Sequence, residues 1–250
     1  MDIQKLLNSI FFPRKSDFEI DDKDHLVSVD SEVSVGIRLF IKDDSYPTIL
    51  FFHANAEITH EYDDIADMYN QYNINFIVAG YRGYGISNGT PTMQNSLYDS
   101  LKIFNYVIEY LEKINNNNKI IIMGRSLGST SACHIMNNNE NDIDGAIIDS
   151  GFATEYPFLL RFGVDPESIN FKLSDGFNNL KKIKSFLKPF LIIHADMDEI
   201  IPFSQADMMF VESGSCNKDL LKVNGAGHNN VISIARDHYF SKIRDFIESL

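Results

Sequence analysis

Runs of successive apolar residues, rich in β-branched and aromatic side chains, punctuate the chain at 33–41, 48–53, 74–80, 119–124, 145–150, 189–195 and 220–224. Continuous rather than alternating apolar character predicts strands covered on both faces, the arrangement of a mostly parallel sheet between helices. Between the runs, apolar residues recur at i, i+3, i+4 over 62–72, 93–114, 130–136, 204–211 and 231–247, which predicts amphipathic helices. Strand and helix alternate, so the expected fold class is α/β with right-handed crossovers. Residues 18–35 alternate loosely and are expected to supply antiparallel edge strands before the parallel core. Residues 152–187 break the rhythm with aromatics, prolines and a glycine-containing turn. They predict a small cap inserted over the C-terminal edge of the sheet, where open α/β sheets place their ligands.

Length sharpens this picture: 250 residues with 44% hydrophobic content supply one sizeable core, and a single domain over 1–250 is the expectation. The formal net charge of -13 leaves no clustered cations for phosphate neutralisation, so nucleic acid is not an expected partner, and anionic lipid is disfavoured on the same ground. Cys133 and Cys216 make no framework and belong to no C-x-x-C pair, which fits a reducing, cytoplasmic setting. The first twelve residues lack a cationic n-region and a long apolar h-region, and no apolar stretch reaches the ~20 residues of a membrane helix. Ile3, Leu6, Leu7, Ile10 and Phe11 fall at helical spacing, read as a helix packed on the domain or its lid, the alternative being an amphipathic segment at a membrane surface.

The chemistry concentrates after the strand at 119–124. Gly124-Arg125-Ser126-Leu127-Gly128 is G-x-S-x-G between a strand and a helical pattern, the context in which a tight turn thrusts a serine Oγ clear of the backbone. Such a serine needs a base, and the base an orienting carboxylate, both later in the chain for this topology. His228 sits in the glycine-rich loop VNGAGHNN after the last strand, and Asp198 lies just past the strand at 189–195. Asp149, closing the preceding strand, is the rival acid, and Asp196 reads as a turn cap. The other histidines, His25, His53, His60, His134, His194 and His238, lack that loop context. The run HADMD has no second histidine cluster and no H-E-x-x-H spacing, so no metal is expected. Backbone N–H groups suit an oxyanion best because they are preorganised. One is expected from Leu127, and the second from Asn55 in the turn His53-Ala54-Asn55-Ala56, with Ala56 the lesser candidate.

From 33 to 250 these residues resemble the α/β-hydrolase superfamily. FFHANAEI is similar to that family's HGNA-type oxyanion loop, GYRGYGISNGTPT to its YRGYGxSxGxP segment, and HADMDEIIP to its HGxxDxxVP acid motif. The likeness is strongest to small intracellular or membrane-associated serine hydrolases, a branch that includes protein depalmitoylases. It implies the α/β-hydrolase fold, a mostly parallel sheet flanked by helices with a small cap over 152–187, and a nucleophile elbow at Ser126 with Asp198 and His228. It calls for no cofactor. Ala54 and Ala195 stand where the family has glycine, and Gly80 where an acidic residue is common.

The expected activity is cleavage of an ester, thioester or related acyl bond in a small-molecule or acylated substrate, as in a serine esterase. Phe152, Tyr156 and Phe158 of the cap are the candidate substrate-binding residues, for an acyl or aryl group; packing the cap onto the sheet is their other reading. Two rivals stand beside the esterase: a peptidase on the same three residues, and a catalytically silent hydrolase fold acting as a binding protein.

Overall fold

A computed structural model describes residues 3–250. Its centre is an eight-stranded sheet in the order β1-β2-β4-β3-β5-β6-β7-β8. β1 (Asp24–Asp30), β2 (Val33–Phe40) and β4 (Asn75–Ala79) pair antiparallel, and β3 (Thr48–Phe52), β5 (Ile120–Arg125), β6 (Gly145–Asp149), β7 (Phe190–Ala195) and β8 (Lys218–Val223) extend from β4 in parallel. The mostly parallel α/β sheet expected from the continuous apolar runs is therefore present, but the parallel part starts one strand later than expected. Continuous apolar character reports cover on both faces, which β2 also has, and says nothing of strand direction.

Alternate residues of each strand feed two cores. Leu50, Phe52, Ile122 and Ile148 face one side, where they meet the long helix α3 (Met93–Lys113) and α4 (Ser129–Asn138). Ile49, Phe51, Ile121, Met123 and Ile147 face the other, against α2 (Asp63–Gln71) and α9 (Asp237–Glu248). The helical pattern at 231–247 is not one helix. It breaks at Arg236, whose φ is 50°, into α8 (Val231–Ala235) and α9.

Over the C-terminal edge lies α5 (Tyr156–Arg161), which a proline at its start preorganises. Within 152–187, α6 (Asn179–Ser185) packs on α4 and on α7 (Ser204–Glu212), as an ordinary crossover helix does, so the projecting part of the insertion is its first half. The N-terminal helix α1 (Ile3–Asn8) packs on α3, and Leu7, Ile10 and Phe11 are buried in the core. Among the described residues no helix is long and apolar enough to cross a membrane.

Candidate active site

The elbow is built by sterics. Ser126 holds φ at 51°, a left-handed conformation that a non-glycine residue adopts only when its surroundings enforce it. A Cβ on Gly124 would meet the Gly128 carbonyl oxygen at 2.3 Å, and one on Gly128 would meet the Phe52 carbonyl oxygen at 2.0 Å. The two glycines thus let the turn fold back on β5 and let the helix behind it press on β3. Ser126 and Leu127 open a short 3-10 turn that runs directly into α4. At this start, N–H groups lack intrahelical partners and favour negative charge.

Ser126 meets His228 and Asp198 in hydrogen-bonding succession. Oγ lies 3.0 Å from His228 Nε2, and His228 Nδ1 lies 2.7 Å from Asp198 Oδ2. A carboxylate only accepts, so Nδ1 carries the proton it donates to Asp198, and Nε2 is left to accept from the serine hydroxyl. The acid is fixed in turn, since Asp198 Oδ1 accepts from the Ile200 and Ile201 N–H groups at 2.9 and 2.7 Å. Burial works against the Asp198 carboxylate, but the hydrogen bond and charge of His228, with the two backbone donors, outweigh it and hold its pKa below the ordinary 3.8. His194 stands 3.5 Å from the same carboxylate, yet burial lowers its pKa and its Nε2 donates to the Ile201 carbonyl at 2.9 Å.

The rival acids are occupied elsewhere. Asp149 accepts from Tyr239 Oη and Ser150 Oγ, each at 2.8 Å, and Asp196 accepts from the Gly225 N–H at 2.7 Å. Among the described residues no group of three or more His, Cys, Asp or Glu side chains is arranged to hold a metal ion.

Ser126 and His228 open on a cavity of about 410 Å³, also lined by Ile10, Phe12, Ala54, Asn55, Glu57, Leu127, Phe158, Arg161, Phe162, Ile200 and Asn229. Asn55 and Leu127, the expected oxyanion donors, line this cavity together with Ser126. The methyl of Ala54 is accommodated at this wall, and the Ala54 N–H donates to Glu57 Oε2 at 2.8 Å. Of the three candidate substrate-binding aromatics, only Phe158 lines the cavity. Phe152 is completely buried behind it, edge-on to both Phe158 and Phe177, and Tyr156 turns toward Phe171 and solvent. An aromatic-rich segment marks a cap without telling which of its rings face inward.

Other parts of the wall carry no recognised motif. Ile10 and Phe12 belong to the apolar run SIFF that directly follows α1. Asn55 binds this segment, with Nδ2 donating to the Ile10 carbonyl at 2.5 Å and Oδ1 accepting from the Phe12 N–H at 3.0 Å. The tyrosines of YRGYG brace the same loop: Tyr81 Oη donates to the His53 carbonyl at 2.8 Å and Tyr84 Oη to Asn55 Oδ1 at 2.7 Å. That segment therefore braces the 53–56 turn through its two tyrosines, and the Gly80 N–H donates to the Gly36 carbonyl at 3.1 Å.

Comparison with known proteins follows the same outline. A family model described as "Serine aminopeptidase, S33" matches residues 44–160, a span that takes in the turn at 53–56 and the elbow and ends before Asp198 and His228. The chain is 29% identical to protein bem46 of Schizosaccharomyces pombe over 216 residues, which cover 82% of this chain and 68% of that one. It is likewise 29% identical to the lysophosphatidylserine lipase ABHD12 of Rattus norvegicus over 177 residues, 64% of this chain but only 43% of that relative. Among solved structures, the Pyrococcus furiosus esterase Pf2001 superposes with a TM-score of 0.75 at 16% identity, covering 95% of this chain and 98% of its own, a likeness of fold.

Proposed function

The chain belongs to the α/β-hydrolase superfamily, and from that premise we propose that it is a serine hydrolase that cleaves an ester, thioester or related acyl bond through an acyl-enzyme. The observation that carries this reading is the Ser126–His228–Asp198 succession, at 3.0 and 2.7 Å, opening on a largely apolar cavity. His228 Nε2 takes the hydroxyl proton as Ser126 Oγ attacks the carbonyl carbon. The oxygen that gains charge accepts from the Leu127 and Asn55 N–H groups, and Asp198 stabilises the imidazolium. His228 then gives its proton to the departing alcohol or thiol. In the second half the same nitrogen deprotonates water, which releases the acid and restores the serine.

An acylated small molecule or lipid is the substrate class we assign. Ile10, Phe12, Leu127, Phe158, Phe162 and Ile200 offer an apolar wall, and the cavity lies within the ~300–1,000 Å³ common for small-molecule sites. The relative named as a lysophosphatidylserine lipase supports this class. Aminopeptidase activity is the second reading, favoured by the description of the matching family model. Among the described residues Glu57 is the one carboxylate in the cavity lining, and it already bonds Arg125, Tyr62 and Ala54, so among them a substrate amine would find no unengaged counterion. Cys133, buried, and Cys216, exposed, are both free thiols.

A fluorophosphonate probe tests the reaction. Wild-type protein should gain one adduct by intact mass and Ser126→Ala none, with unchanged circular dichroism; an adduct on both places the reactive nucleophile elsewhere and overturns the assignment, and no adduct on either favours a silent, ligand-binding fold. A graded series of p-nitrophenyl esters beside an aminoacyl arylamide separates the two substrate classes.

A further inference from the structure

We propose that Arg125 and Glu57 are positioning residues, whose ion pair holds the base loop and the oxyanion loop in register with the elbow. The inference rests on the serine-hydrolase reading. Arg125 is the residue immediately before Ser126, at the end of β5, and its guanidinium is buried. It pairs through Nη1 with Glu57 Oε1, while Nη2 donates to the His228 carbonyl at 3.0 Å and to Asn229 Oδ1 at 3.3 Å. The other oxygen of Glu57 accepts from the Ala54 N–H at 2.8 Å and from Tyr62 Oη. One pair of side chains therefore ties together the three segments that carry nucleophile, base and oxyanion donor.

His228 shows what the tie accomplishes. Its carbonyl is held by Arg125 and its N–H by Glu199 Oε2 at 3.1 Å, so the peptide groups on both sides of the base are anchored. Only side-chain torsions remain, and Asp198 sets those. Packing does not do this work in its place. The catalytic cavity, about 410 Å³, lies against Glu57 and Asn229, and a second cavity of about 500 Å³ lies against Glu57, Asn229 and Arg125. Loops flanked by open space lack the close-packed neighbours that fix most side chains in an interior. A partly buried ion pair contributes little net stability once desolvation is counted, whereas the guanidinium fork fixes direction as well as distance.

The test compares Arg125→Met, Arg125→Lys, Glu57→Gln and the double variant Glu57→Gln/Arg125→Met with wild type. Misplacing reacting groups by about 1 Å costs on the order of 100-fold, so Arg125→Met should lower kcat and the fluorophosphonate labelling rate by about that factor with KM nearly unchanged. Lysine keeps the charge and loses the fork, so Arg125→Lys should recover part of the rate. The double variant should lose less than the two single losses combined, because both substitutions break the shared Arg125–Glu57 contact.

A proton NMR measurement of the His228 Nδ1–H resonance reads the geometry without turnover. It should shift or broaden in Arg125→Met, and it decides the positioning role even if wild-type protein takes no label, an outcome that would sink the serine-hydrolase reading alone. Wild-type-like kcat in Arg125→Met with an unmoved resonance, or additive losses in the double variant, overturns the positioning role. Should Arg125→Met fail to fold, the near-isosteric Glu57→Gln and the charge-keeping Arg125→Lys decide by the same kcat-against-KM split and the same resonance.

Discussion

On one side of the cavity a Cβ added at Gly128 would come within 2.0 Å of a backbone oxygen; on the other, a Cβ at Gly163 would meet nothing within 4 Å. The elbow and the cap rim face the same space with opposite tolerances. At the elbow, backbone presses on backbone and Ser126 is forced into a left-handed conformation. At the rim, Phe158 reaches the cavity from a six-residue helix while Leu160 stands 61% exposed and Phe162 43% exposed. On the proposed reading, the reacting atoms sit on the rigid side and the surface that would meet the rest of the substrate on the permissive one. Chemistry that tolerates little displacement is placed where displacement is sterically refused, and selectivity is placed where side chains can change without disturbing it.

The largest effect that would break this comparison concerns the acid. Asp198→Asn leaves Ser126 and the cavity in place but offers His228 an amide for a carboxylate, and kcat should fall by about 10⁴. Asp149→Asn, one strand over, should leave the turnover of folded protein near wild type; steady-state rates normalised to folded fraction check both. Next in size is the glycine pair. Gly128→Ala should cost about 3 kcal/mol or prevent folding, against about 1 kcal/mol for Gly163→Ala, whose φ of 72° is its one objection to a side chain. Urea midpoints at matched slope measure the difference, and equal costs would erase the contrast.

A smaller effect follows from charge. Because the folded-state pKa of Asp198 lies below the ordinary 3.8, its contribution to stability is full above that value and is lost as pH falls through the depressed one. Wild type should therefore lose stability more steeply than Asp198→Asn when denaturation is compared between about pH 5 and pH 2. Parallel curves would show that the carboxylate is not held by the folded state. Smallest are the rim substitutions. Phe162→Ala should raise KM for long-chain esters by a factor of about three to ten with kcat unchanged, and should leave short-chain esters alone.

What the chain discloses before folding divides along the same line. Five of the six parallel strands, β3 to β7, announce themselves because cover on both faces demands apolar residues at successive positions; Ser126 and Asp198 each follow such a strand, and His228 follows the half-exposed β8, each in a loop of distinctive composition. The direction of β2 leaves no trace in its hydrophobicity. Neither does the break at Arg236, where a residue other than glycine takes a positive φ. Arg125 and Glu57 are 68 positions apart and meet only because β5 lies beside β3, so no local pattern pairs them. On the cap, Phe152 and Phe158 are alike in type and opposite in role, a distinction made by tertiary packing.

Gly124 and Gly128 answer to the backbone of the elbow and not to any reaction it performs. A descendant of this protein that exchanged Ser126 for another residue would keep a folded molecule, whereas one that exchanged Gly128 would collide with the Phe52 carbonyl oxygen. Lineages that abandoned the reaction would therefore still carry the glycine frame. Found without its serine, that frame is a record of ancestry and not of present activity.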